Sequence, residues 1–472
     1  MPTEKQYFPL DGYTKSFWLG LEDQEEFSSH RTTRELPSEV DVLVIGSGYA
    51  GASTAHYLLH QDPALRVALY EARTACSGAT GRNGGHVKPY YHRNYDLYLQ
   101  MLGEKGAAEV VNSEYDHLWA IKKIVDDNNI DCDFFLTRAC DVYPDKEDSR
   151  VARDLEAAKS MLANPHIYPE MKKQFQIFHG AAARMISKSP QTDIAFTYPA
   201  ASCWPWKLFI SILKMCVAKG LNLQTNTLVT KVTSTDNGKW VVHTPRGTTI
   251  CGKVVYCTNG YTKGLLEEFS NTIVPQRGVC CSIEAADKDH TPHLTNTYGL
   301  FTSRPNSDYL INRPDGTIIV GGRDESLIKP NGDISGWFDC VDDTYVDEVS
   351  KAEFKDYMKK RFSTWENTDS DVSKIWSGIL GFTNDYLPYV GELDVIGKKG
   401  CYIVAGFHGH GMPRVLFSAK AVATCITQNK KVHELEYTIP KGFFVSKERI
   451  EKPNVYEQGI HKFVKEHYDA KL

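Results

Sequence analysis

A chain of 472 residues that is 42% hydrophobic and 24% charged has an ordinary globular composition, and it is long enough for two domains with substantial cores. A net charge of −5 argues against electrostatic capture of nucleic acid or of an anionic membrane. No apolar run approaches the ~18 residues of a membrane span, and the opening MPTEKQYFPLDGYTKSFW lacks the basic-then-apolar order of a secretory signal.

Twelve cysteines without CxxC pairs or zinc spacing point to reduced thiols in an intracellular protein and to no metal site. The adjacent pair Cys280 and Cys281 reads as two strand residues rather than a disulfide.

Residues 1–40 are polar and aromatic, and read as an irregular arm laid over the body or as plain disorder. DVLVIGSGYAGASTAHYLL then gives an apolar run, a glycine cluster and a helical pattern. After the turn at Asp62 and Pro63, RVALYEAR reads as a second strand, so the segment predicts a βαβ unit. SGATGRNGGHVKP (77–89) carries too many glycines for regular structure. From about 95 to 185 the pattern is mostly helical with few strands, and TYPAASCWPW (197–206) reads as a loop.

KLFISILKMCVAKG predicts an amphipathic helix ended by Gly220. LNLQTNTLVTKV and KWVVHT flank the hairpin signal Asp236-Asn237-Gly238. KVVYCTNG (253–260) reads as a buried strand entering a turn. Residues 276–345 look β-rich, with YLINRPDGTIIVGG a hairpin around Asp315-Gly316. DDTYVDEVSKAEFKDYMKKRF predicts one helix. CYIVAGFHGHGMPRVLFSAKAVATCI repeats the strand, glycine turn and helix of the start. Two α/β segments thus bracket a helical insert and a β-rich insert, which predicts an α/β fold of two domains built from non-contiguous pieces.

Gly46, Gly48 and Gly51 form GxGxxG between the first strand and helix. The first glycine permits a tight turn, the second admits a pyrophosphate to the backbone, and the third lets helix and strand pack closely. The helix N-terminus offers N–H groups and positive dipole to phosphates. Glu71 stands at the end of the next strand, about 20 residues on, where a carboxylate accepts ribose hydroxyls. That acid argues against a 2′-phosphate but leaves NAD and FAD both open.

The motif, then EAR (71–73) and SGATGRNGGH (77–86), resembles the D-amino-acid-oxidase-like superfamily of FAD oxidoreductases. The resemblance is nearest to the γ-glutamylputrescine-oxidase-like branch and its fungal members. Further matches are Pro275-Gln276-Arg277-Gly278, NRPDGTIIVGG, WSGILGFTNDYLPYVGE (376–392) and AGFHGHGM (405–412), in the family's order.

The resemblance implies FAD and a Rossmann-like FAD-binding domain from 41–100, 200–275 and 375–428. It also implies an α+β substrate domain on a mixed sheet from 101–199 and 276–374, leaving 429–472 as a tail. It places the cofactor against Gly46, Gly48, Tyr49, Ala50 and Gly51, then Glu71, Ala72 and Arg73. The glycine-rich loop adds Ser77, Gly78, Ala79, Thr80, Arg82, Asn83, Gly84, Gly85 and His86, with Val229 at the adenine edge. Thr258, Asn259, Gly260, Gly381, Asp385, Gly409, His410, Gly411 and Met412 complete the set.

Sarcosine-oxidase-like relatives that bind flavin covalently carry a cysteine seven residues before the aspartate matching Asp385, and this chain has Gly378 there. Relatives linked through histidine carry it near Arg82, so dissociable FAD is expected, with His86 and Cys401 as the alternatives.

The implied chemistry is oxidation of a C–N bond in an amine or amino acid by hydride transfer to flavin N5, with molecular oxygen as acceptor giving imine and hydrogen peroxide. His410 aligns with a histidine beside the substrate in relatives, whereas His408 either lines the pocket or packs outward. Lys88 lies near an arginine that holds substrate carboxylate in the sarcosine-oxidase-like members, or is a solvated lysine. Arg323 points into the site or closes a salt bridge, and Phe382, Phe407 and Tyr309 form an aromatic wall or ordinary core.

Where those members hold a lysine that activates oxygen, this chain has apolar Ile319, which keeps a dehydrogenase with another acceptor open. A flavin-stabilised trafficking or binding protein is the non-enzymatic reading. The closing Ala470-Lys471-Leu472 resembles the SKL address read by the peroxisomal import receptor.

Overall fold

A computed structural model describes residues 7–21, 26–146, 149–301, 307–322, 327–436 and 439–468. Arg323 and the Ala470-Lys471-Leu472 terminus lie outside the described residues.

The βαβ unit forms as the sequence predicts: β1 (Glu39–Ile45), α1 (Tyr49–Gln61) and β2 (Val67–Tyr70). Both strands are nearly all apolar because a parallel strand covered on both faces has no side to turn to water. They lie in a sheet ordered Tyr389–Leu393, Lys398–Ala405, Gly247–Tyr256, β1, β2, Asn222–Gln224, whose inner strands run parallel. The hairpin of Lys231–Ser234 and Trp240–Thr244 extends it, turning at Gly238 where φ is +76°. α1 packs beside the helices Pro205–Ala218 and Val415–Gln428 on one face.

The second, mixed sheet is ordered Ser370–Thr383, Ile273–Ala285, Ile318–Gly322, Asp308–Asn312, Asn296–Leu300, Phe135–Tyr143, Ile194–Ser202, His86–Val87. Cys280 and Cys281 are strand residues, and all twelve cysteines are buried thiols outside any disulfide.

Two expectations fail for identifiable reasons. Residues 194–202, expected in part as a loop, form a strand buried at every position, where small residues and aromatics fill the sheet despite Pro199. Residues 95–185 are mostly helical with few strands, as expected, and one of those strands, FLTRACDVY (135–143), is central although Arg138 and Asp141 break its apolar alternation. The single helix expected over 342–362 is two, Glu348–Glu353 and Tyr357–Arg361, interrupted where Asp356 takes a φ of +55°. Among the described residues, no helix is long and apolar enough to cross a membrane.

Candidate active site

A cavity of about 510 Å3 runs from the β1–α1 turn to the second sheet. At the turn, Gly46 has a φ of +100°, and a Cβ on Gly51 would stand 1.8 Å from the Gly46 carbonyl oxygen. Only glycines let α1 start this close to β1. Glu71 follows β2 and borders the cavity, its Oε2 accepting from the Ser47 N–H and Oγ–H, both at 2.8 Å. Its Oε1 accepts the Arg73 N–H at 2.9 Å, so the carboxylate is held in place before any sugar arrives.

Arg82 Nη2, His86 Nε2 and Tyr261 Oη are buried atoms on cavity-lining residues that make no hydrogen bond among the described residues. Such orphaned groups are rare unless a ligand supplies their partner. Burial pushes the His86 imidazole down to about 3, so it is neutral there.

The N-terminal arm straps this region. Phe8 and Pro9 border the cavity, and the Tyr13 ring covers the guanidinium groups of Arg73 and Arg82 at 4.4 and 4.7 Å. Asp343, from the loops of the second sheet, pairs with Arg73 at 3.0 Å and Arg82 at 3.6 Å.

At the other end, Tyr309 lies across Gly321, where a Cβ would meet its ring at 2.2 Å, and its Oη is 3.0 Å from Cys280 Sγ. Tyr309, Phe382 and Phe407 all border the cavity, forming the aromatic wall the sequence left open. The Gly406 and Phe407 N–H groups donate to Asn259 Oδ1, which pins the glycine-histidine loop. His408 Nδ1 accepts the Thr383 N–H at 3.0 Å, and burial holds the imidazole down at about 3.

His410 borders the cavity, stacks on Tyr90 with ring centroids 3.7 Å apart, and meets Glu114 Oε2 through Nε2 at 3.0 Å. Arg414 donates to the other Glu114 oxygen at 2.7 Å and to Tyr98 Oη at 2.7 Å. Burial alone raises the Glu114 carboxyl, but His410 and Arg414 reverse this and hold it down at about 2.

Lys88 is buried against Asp141, which also accepts the Tyr198 hydroxyl at 2.7 Å. Its charge is therefore answered within the protein. Arg93 differs: it borders the cavity with its guanidinium 4.5 Å from the Tyr90 centroid and 4.7 Å from that of Phe301. It makes no hydrogen bond or ion pair among the described residues. Asp141→Asn, which strands the Lys88 ammonium in the interior, is expected to cost ~3–5 kcal/mol and to lower the urea midpoint.

The family model for FAD dependent oxidoreductases matches residues 41–424. The chain belongs to the FAD dependent oxidoreductase family. It is similar to Gamma-glutamylputrescine oxidoreductase of Escherichia coli, 24% identical over 386 residues, covering 81% of this chain and 82% of the relative. In fold it resembles glycine oxidase from Geobacillus kaustophilus, with a TM-score of 0.67, 17% identity, and 87% and 99% of the two chains covered. It also resembles L-proline dehydrogenase from P. horikoshii, with a TM-score of 0.66, 20% identity, and coverage of 86% and 98%.

FAD is thus the cofactor of this oxidoreductase, and the cavity fits it. The glycine turn would cradle the diphosphate, Glu71 would hold the adenosine sugar, and the orphaned donors would meet its polar edges. Of the residues expected around FAD, Gly46, Gly48, Tyr49, Ala50, Glu71, Ala72, Arg73, Gly78, Ala79, Thr80, Arg82, Asn83, Gly84 and His86 border the cavity, as do Val229, Thr258, Asn259, Gly260, Gly409, His410, Gly411 and Met412.

Gly51, Ser77, Gly85 and Gly381 support it from behind. Asp385 does not reach the cavity: both its oxygens are taken by Arg449, at 2.7 and 2.9 Å, an ion pair that anchors the C-terminal segment. Arg93, Glu114, Arg414 and Tyr90 escaped sequence reasoning. Glu114 left a signal, being an acid on the apolar stripe Ala107, Val110, Val111, Leu118, Ile121 of α2 (Tyr95–Asp127).

Deleting residues 1–12 removes Phe8 and Pro9 from the cavity wall. An apolar side chain of that size is worth about 1.5–3 kcal/mol of burial, so FAD affinity is expected to fall about tenfold to a hundredfold. Titration of the apoprotein with FAD checks this.

Proposed function

We propose that this enzyme oxidises the C–N bond of an amine that also carries a carboxylate, passes the electrons to molecular oxygen, and releases an imine and hydrogen peroxide. The observation that carries this reading is Arg93, a partly buried guanidinium on the cavity wall with aromatic neighbours and no hydrogen bond or ion pair among the described residues, Asp141 and Asp154 reaching it only as longer-range charges. A planar cation in that setting is built to take a carboxylate through two parallel hydrogen bonds.

When bound, FAD would supply the two-electron acceptor for oxidation of the carbon beside a neutral nitrogen. The chain supplies position and dryness. Arg93 fixes one end of the substrate, and Tyr309, Phe382 and Phe407 exclude water around the reacting carbon. Gly378 offers no sulfur for a flavin linkage and packs on Arg82, which supports a dissociable cofactor.

One observation favours a second reading, transfer to a carrier instead of oxygen: Ile319 is fully buried and puts no cation on the sheet facing the cavity. Photoreducing the enzyme without air and then admitting oxygen separates the two. Reoxidation within seconds supports the oxidase, and reoxidation over many minutes supports the carrier. The substrate reading is tested by anaerobic bleaching with glycine, L-proline, γ-glutamylputrescine and putrescine. Reduction by putrescine alone, the one amine in the panel without a carboxylate, would contradict it.

A further inference from the structure

Resting on that reading of the site, we infer that Glu114 and His410 form a proton-accepting dyad: Glu114 fixes the imidazole with its proton on Nε2, and the Nδ1 lone pair takes a proton from the substrate ammonium.

The geometry supplies the tautomer. Glu114 is fully buried, with Oε1 on Arg414 and Oε2 also accepting the Tyr90 N–H at 2.6 Å. A carboxylate paired with a permanent guanidinium cation is ionised and only accepts, so the His410 nitrogen 3.0 Å from it must donate. The stack on Tyr90 fixes the ring plane. The remaining nitrogen, Nδ1, makes no hydrogen bond among the described residues, and the side chain borders the cavity. A neutral histidine held this way is an acceptor whose orientation is set by its partner, as in other carboxylate–histidine pairs.

Burial, reinforced by the neighbouring cations, keeps the imidazole neutral at rest. Glu114 and Tyr98 face it from α2, Tyr90 and Arg93 from the preceding loop, and His408 and Arg414 from its own loop. Burial lowers the imidazole to about 4, with Glu114 opposing and Arg414 and Arg93 reinforcing the shift. A substrate ammonium carried into the same dry, cationic cavity is itself acidified, as buried lysines are. That narrows the gap between donor and acceptor, which favours proton transfer.

The step balances within the site. An ammonium N–H bond breaks, its electron pair stays on nitrogen, and the proton joins Nδ1 to give an imidazolium facing the Glu114 carboxylate. His410 is then a catalytic residue and Glu114 a positioning residue.

Imidazole 15N NMR of the FAD-loaded enzyme reads the tautomer directly, with the His410 signal assigned by its loss in His410→Asn. A neutral ring protonated on Nε2 is expected, and a ring protonated on Nδ1 overturns the dyad whether or not any amine is oxidised. Turnover gives the second readout, using whichever of glycine, L-proline and γ-glutamylputrescine reduces the enzyme. His410→Ala is expected to slow anaerobic reduction at least a hundredfold at neutral pH. It is also expected to move the acid limb of the pH profile towards the ionisation of the free amine, and to recover with added imidazole. A loss equal at every pH and untouched by imidazole overturns the proposal. Glu114→Gln leaves the buried Arg414 without its counter-charge and can fail to fold, so His410→Ala and the NMR spectrum are the deciding measurements.

Discussion

Gly51→Ala is expected to yield protein that no longer holds its flavin. The added methyl group would stand 1.8 Å from the Gly46 carbonyl oxygen, a rigid backbone atom with no rotamer to escape through. Relief requires α1 to slide away from β1 or the Gly46 turn to open. Gly46 cannot yield easily, because its own missing Cβ position lies 2.7 Å from the Cys257 carbonyl. Either movement displaces the start of α1, where the phosphates are received. Forced overpacking costs ~1–3 kcal/mol even where side chains can adjust, which is about fivefold to 150-fold in affinity. With backbone on both sides the upper end is expected. Visible flavin absorbance per mole of purified protein, and FAD titration of the apoprotein, measure it.

Arg93→Met is the second large effect, and it falls on the substrate alone. Methionine keeps the apolar stem between Tyr90 and Phe301 but removes the cation. Losing one partner of a desolvated, charge-assisted pair costs ~2–4 kcal/mol, so kcat/KM for a carboxylate-bearing amine is expected to fall about thirty- to a thousandfold. FAD content and the thermal midpoint are expected to stay near wild type, since Arg93 makes no hydrogen bond or ion pair among the described residues. Arg93→Lys is expected to recover only part of the loss, because an ammonium cannot form the two-pronged contact. An equal loss for putrescine, which has no carboxylate, would show that Arg93 shapes the cavity and does not read the substrate.

The cofactor half of this molecule was readable because each of its parts is local. GSGYAG, Glu71 and the following glycines sit within some forty residues, and every feature has a backbone reason to be where it is. The substrate half is assembled from distant chain. Asp141 comes from a central strand that its own charge disguised, and it neutralises Lys88, the lysine that looked most like a carboxylate clamp. The cation proposed for that role is Arg93, five residues on, which makes no hydrogen bond or ion pair among the described residues. No sequence pattern reports such an absence. Glu114 and His410 are separated by 296 residues and meet only because α2 crosses beneath the glycine-histidine loop. Asp385 shows the opposite error: it carries the family resemblance, yet it fastens Arg449 and the C-terminal segment.

The central claim is that the cavity holds a dissociable FAD which an amine reduces. Denaturing the purified protein and separating it from small molecules tests this most directly, alongside anaerobic addition of glycine, L-proline or γ-glutamylputrescine to the native enzyme. The account predicts about one FAD per chain released intact into solution, and loss of the yellow colour with at least one of these amines. Colourless protein that takes up no FAD on reconstitution, or bound flavin that none of them bleaches, would contradict it.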